Sequence, residues 1–109
     1  MSQPLRLLLV EDSEDDALLL LRELLKEGFV VDHTRVDTAA GLRQALDARD
    51  WDIVVTDHDM PGFNSEEALA IVREANADLP VIIVSGIIGK DVAVAAMRSG
   101  AHDYIMKGN

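Results

Sequence analysis

No cysteine occurs in the chain, so no disulfide framework holds it together and a reducing cytoplasm suits it. Basic residues are scarce. Ten lysines and arginines stand against twenty aspartates and glutamates, a formal net charge of −10 that repels a nucleic-acid backbone and favours cations or basic protein surfaces. No apolar run approaches the roughly 18 residues needed to cross a bilayer. Met1 to Pro4 also lack the basic stretch and long apolar segment of a secretory signal. Internal repeats, linkers and low-complexity tracts are missing too. What is left is an ordinary globular composition, 49% hydrophobic and 28% charged, in 109 residues. That length suits one domain, residues 1–109, burying roughly 65% of the surface its unfolded form exposes.

The informative pattern lies at the ends of short apolar runs. Leu7-Leu8-Leu9-Val10 leads to Glu11-Asp12, Ile53-Val54-Val55-Thr56 to Asp57, Val81-Ile82-Ile83-Val84 to Ser85, and Tyr104-Ile105-Met106 to Lys107. Five such strands alternating with helices imply right-handed crossovers and a parallel α/β sheet with helices on both faces. The strands are expected at Leu5–Val10, Phe29–Val36, Ile53–Thr56, Val81–Val84 and Tyr104–Met106, the second at an edge and the third central.

Helices are expected from their caps and stripes. Ser13 caps the first, which carries Glu14, Asp15 and Asp16 in its first turn, buries Ala17, Leu18, Leu21, Leu24 and Leu25, and stops at Gly28. Asp37 or Thr38 caps the second, with Ala39, Leu42, Ala45 and Leu46 inward. After a loop at Met60-Pro61-Gly62-Phe63-Asn64, Ser65 caps the third, whose apolar residues are Leu69, Ile71 and Val72. A fourth helix over Lys90 to Arg98 is apolar nearly all round, as a buried or partner-facing helix is. A doubly covered sheet leads one to expect another helix after the fifth strand. The sequence stops at Asn109, so the expectation is a truncated element or a face covered by a partner.

In an open parallel sheet, ligands bind outside the carboxyl ends of the strands, so these strand-ending residues can share one crevice. Glu11, Asp12 and Asp57 offer the oxygen ligands that Mg²⁺ takes while keeping waters and phosphate oxygens. A carboxylate there can also act as a nucleophile toward phosphorus when the charge of the transferring group is neutralised. Ser85 offers a hydroxyl, Gly86 leaves room for a backbone N–H, and Lys107 supplies an ammonium. His33, His58 and His102 are too dispersed for a metal triad and read as surface or loop residues. Met60, Met97 and Met106 read as packing.

Four of these segments carry a family resemblance together. Val10-Glu11-Asp12, Asp57 followed by Met60-Pro61, Val84-Ser85-Gly86, and Gly100-Ala101-His102-Asp103-Tyr104-Ile105-Met106-Lys107 resemble, in order and spacing, the receiver domain of two-component response regulators. The resemblance spans essentially the whole chain. It implies a flavodoxin-like fold with strand order 2-1-3-4-5. It also implies that Asp57 takes a phosphoryl group from a histidine kinase or phosphotransfer protein, with Mg²⁺ held by Glu11, Asp12, Asp57 and the backbone carbonyl of Asp59. Lys107 would contact the phosphate, and Ser85 and Tyr104 would form the switch pair. Repacking of the fourth helix and fifth strand would carry the signal to a downstream protein, an attached output domain or a dimer partner. Such a domain is no enzyme beyond intrinsic autophosphorylation and autodephosphorylation.

Three positions depart from the family pattern. Gly108 stands where proline is usual, Gly86 where alanine is usual, and Asp59 adds a fourth acid. Two enzyme readings stand beside the switch. Asp57-His58-Asp59 after an apolar strand resembles the nucleophile motif of haloacid-dehalogenase-like phosphatases, although there the nucleophile opens the domain and an acidic pair follows the lysine. Glu11 with Asp57 and Asp59 also fits a Toprim-like metal-dependent nucleic-acid enzyme, against which the negative charge weighs. A degenerate receiver that only binds partners is the third alternative, and the intact acidic, hydroxyl and lysine positions oppose it.

Overall fold

The computed structural model describes residues 3–58, 60–85, 101 and 103–106. Its centre is a five-stranded parallel sheet of β1 (Gln3–Val10), β2 (Phe29–Val36), β3 (Ile53–Asp57), β4 (Val81–Ser85) and β5 (Asp103–Met106), in the order β2-β1-β3-β4-β5. The expected strand order is therefore the observed one, with β2 at an edge and β3 central. β1 and β3 are buried on both sides, which explains why they read as unbroken apolar runs.

Alternation along the strands divides the core into two layers. Leu8, Val10 and Val54 face one side, where they meet Leu42 and Ala45 of α2 (Ala39–Ala48) and Ala68, Leu69, Ile71 and Val72 of α3 (Ser65–Ala75). Leu7, Leu9 and Val55 face the other side, against α1 (Glu14–Lys26). Each fully buried leucine contributes about 1.5–3 kcal/mol relative to its exposed state.

The caps place the helices. Ser13 Oγ accepts from the Asp16 N–H at 3.2 Å, and the three acids behind it lie against the positive helix end. Gly28, with φ of 95°, ends α1 in a conformation that a side chain would strain. At α2 the open choice of cap resolves to Thr38, whose Oγ1 accepts from Gly41 N at 3.0 Å.

Two expectations are corrected. On α1, Leu18 and Leu25 are 53% and 61% exposed, while Leu20 joins Ala17, Leu21 and Leu24 on the sheet. The contact line follows positions 17, 20, 21 and 24, and residues 18 and 25 lie about 100° round the helix from it. At α3 the cap is Asn64 rather than Ser65: Asn64 Oδ1 accepts from Glu67 N at 2.9 Å. Asn and Ser are about equally good caps, and here a different partner claims the serine. The expected helix over residues 90–98 lies outside the described residues. Among those residues, no helix is long and apolar enough to cross a membrane.

Charge is paired on the amino-terminal side of β3. Arg6 donates to Asp52 through Nη2 at 3.0 Å, Nε at 3.4 Å and its backbone N–H at 2.7 Å. The side-chain hydrogen bond from Arg6, then its backbone bond, hold the Asp52 carboxyl below the usual carboxylate range. Arg49 reaches Asp32 at 2.8 Å and lies 5.0 Å from the centre of the Trp51 ring, which donates through Nε1 to Ala45 O at 2.9 Å.

Candidate phosphoacceptor and cation site

The register of the sheet determines which side chains can meet at its carboxyl end. Val10 pairs with Thr56, Thr56 with Ile83 and Ile83 with Tyr104, so the next row across the sheet is Glu11, Asp57, Val84 and Ile105. Ser85 pairs with Met106 in the row beyond that. The backbone thus brings the ends of β1, β3, β4 and β5 to one edge, as the apolar runs imply.

On that edge Glu11, Asp12 and Asp57 each offer a carboxylate oxygen, and the three atoms lie within 4.8 Å of one another. Glu11 is 5% exposed and Asp57 4%, whereas Asp12 is open to solvent. Main-chain bonds hold the first acid in place. Its N–H donates to Val36 O at 2.9 Å, its Oε1 accepts from Ser13 N at 3.0 Å, and its carbonyl accepts from Arg35 Nη1 at 3.1 Å. One residue therefore links β1 to β2 and to the start of α1.

Asp57 leaves β3 between two tethers. Thr56, fully buried, donates through Oγ1 to the Asp57 carbonyl at 3.3 Å, and His58 N donates to Val84 O on β4 at 2.9 Å. Two carboxylates about 5 Å apart repel by roughly 1 to 3 kcal/mol as the effective dielectric falls from that of water to that of a protein surface. The donor set is all oxygen and suits a hard divalent cation with part of its coordination left to water or phosphate. The residues present fit such an ion.

Of the remaining expected site residues, Asp59 and Lys107 lie outside the described residues, as do Gly86, Gly108 and His102. For Ser85 and Tyr104 the backbone position in β4 and β5 is described. Met60 is buried at 6% and packs in the core, as expected. His58 is a loop residue, as read, but it is partly buried and its Nδ1 lies 2.6 Å from Ser65 Oγ, a contact the reading did not include. A signal for this contact existed in the sequence: two good caps stand side by side at 64 and 65, and a helix uses one.

Comparison with known proteins decides between the readings left open. The family model described as "Response regulator receiver domain" matches residues 7–109. The chain belongs to this family. It is 36% identical over 104 residues to the C4-dicarboxylate transport transcriptional regulatory protein DctD of Pseudomonas aeruginosa, covering 88% of this chain and 22% of that protein. The chain spans less than half the length of the curated relatives it matches. Among solved structures, the beryllofluoride-activated NtrC4 receiver domain dimer aligns with a TM-score of 0.82 and 26% identity, covering 95% of this receiver and 84% of that chain. The receiver domain of the sensor histidine kinase PA1611 from Pseudomonas aeruginosa, with magnesium in its active-site cleft, aligns with a TM-score of 0.78 at 20% identity, covering 97% and 87%. The family match leaves the phosphatase and Toprim-like readings without support.

Proposed function

We propose that this receiver is a phosphoryl-accepting switch in which Asp57 is the acceptor. The observation that carries the reading is the cluster of Glu11, Asp12 and Asp57 at the carboxyl ends of two adjacent strands, with the Asp57 side chain nearly buried. A histidine kinase or phosphotransfer protein is the phosphoryl source. A carboxylate oxygen of Asp57 attacks the phosphorus of a phosphohistidine, the P–O bond forms as the P–N bond breaks, and the electron pair of that bond stays on the imidazole nitrogen, which takes a proton from solvent. Water later cleaves the acyl phosphate, which regenerates the carboxylate and releases inorganic phosphate.

Mg²⁺ would be held by Glu11, Asp12, Asp57 and the carbonyl of Asp59, where it supplies positive charge against the phosphate oxygens. Within this reading Lys107 neutralises a phosphate oxygen from the opposite side, Ser85 donates its hydroxyl to another, and Tyr104 responds to Ser85 as the second member of the switch. The register supports these roles by bringing β4 and β5 to the edge that Asp57 occupies. Output passes to a downstream protein or an attached domain, or through a dimer, by the fourth helix and β5, and the absence of cysteine agrees with a cytoplasmic setting.

The test is incubation with acetyl phosphate and Mg²⁺ followed by intact-mass measurement. One phosphoryl adduct on the wild type and none on Asp57→Asn is expected. An equal adduct on both proteins, or multiple turnover of p-nitrophenyl phosphate, contradicts the reading.

A further inference from the structure

Ser65 is 1% exposed at the first position of α3, and a buried hydroxyl needs a partner. It does not cap the helix, since Asn64 already does so. Its partner is His58, with Nδ1 2.6 Å from Oγ and the donor and acceptor roles set by the ring tautomer. The loop between them has other anchors, because Met60 and Phe63 are both buried in the core at 6% and 5% exposure. The His58–Ser65 bond is therefore surplus to holding the loop.

Its position suggests what it does instead. His58 directly follows Asp57, and its main-chain N–H is already fixed to Val84 of β4. The side chain adds a second tether in another direction, to α3. Together they fix the peptide on the carboxyl side of Asp57 and so limit how far the nucleophilic carboxylate can turn. We infer that His58 and Ser65 form a positioning pair that aims the Asp57 carboxylate for attack on phosphorus, an inference that rests on the phosphoacceptor reading above. Neither residue touches the phosphoryl group. Misplacing a reacting group by a fraction of an ångström slows a reaction without weakening ligand binding.

The experiment follows phosphorylation by acetyl phosphate as a function of Mg²⁺ concentration, by intact mass, in the wild type, Ser65→Ala, His58→Phe, the double variant and His58→Asn. Losing one hydrogen bond should lower the maximal rate about fivefold in each single variant. The double variant should be no slower than either single one, and the half-saturating Mg²⁺ concentration should stay put. His58→Asn should recover most of the rate, because its amide presents both a donor and an acceptor at the δ position that meets Ser65. Wild-type rates in Ser65→Ala, single effects that multiply in the double variant, a shift in half-saturating Mg²⁺ instead of the maximum, or no recovery in His58→Asn each overturn the inference while leaving Asp57 as acceptor. A wild type that takes up no phosphoryl group overturns both. Should His58→Phe fail to fold by circular dichroism, the Ser65→Ala and His58→Asn comparison decides.

Discussion

The two sides of β3 treat charge in opposite ways. At its amino-terminal side every acid named has a cation against it: Asp52 has Arg6, and Asp32 has Arg49, which also covers Trp51. At its carboxyl end three acids crowd within 4.8 Å, two of them buried. The first arrangement serves the fold. The second costs repulsion, and a sequence keeps such a local conflict where function needs it. The contrast sets charge paired within the fold against an acidic donor set that could hold a metal ion.

The largest expected effect follows directly. Chelating divalent cations, or the double substitution Glu11→Gln with Asp12→Asn, should abolish phosphoryl transfer from acetyl phosphate as measured by intact mass, whereas Asp52→Asn on the other side should leave it unchanged. Next, Mg²⁺ at about a hundredfold excess over its dissociation constant should stabilise the wild type by about 2.7 kcal/mol in chemical denaturation, a gain absent from the double variant.

A smaller effect tests the sign of the contrast. At low salt and without divalent cations, Asp12→Asn should raise the unfolding midpoint by relieving like-charge repulsion, and Asp52→Asn should lower it by removing the partner of Arg6. The same sign for both would erase the comparison. The smallest effect is in acid. Because the folded-state pKa of Asp52 is lowered from its ordinary 3.8, its contribution to stability is complete above that value and is lost as pH falls below it toward the folded-state pKa. Asp52→Asn should therefore flatten the pH dependence of unfolding in that window, modestly, since the pair is solvent-exposed.

Much of this was legible from residues alone. Unbroken apolar runs at Leu7–Val10 and Ile53–Thr56 give central parallel strands, and Asp32 and Arg35 within Phe29–Val36 mark the edge. The polar residue ending each run located Glu11, Asp12 and Asp57, because parallel strands all end on one side. What escaped was set by choices between near-equal local options. Leu18 and Leu20 are alike in sequence, and only the rotation of α1 against the sheet decides which is buried. Asn64 and Ser65 compete as caps, and the contact from His58 decides that as well. A period of 3.6 fixes a helix face to within about one residue, and a cap to within the same margin.

The claim that the cation-charged acidic end delivers phosphate to one particular carboxylate is tested most directly by borohydride trapping of the acyl phosphate, followed by peptide sequencing. Reduction should convert residue 57 alone to homoserine, and only when Mg²⁺ was present during phosphorylation. Homoserine at residue 12, 2-amino-5-hydroxypentanoic acid at residue 11, or trapping that proceeds equally without the cation, would contradict the account.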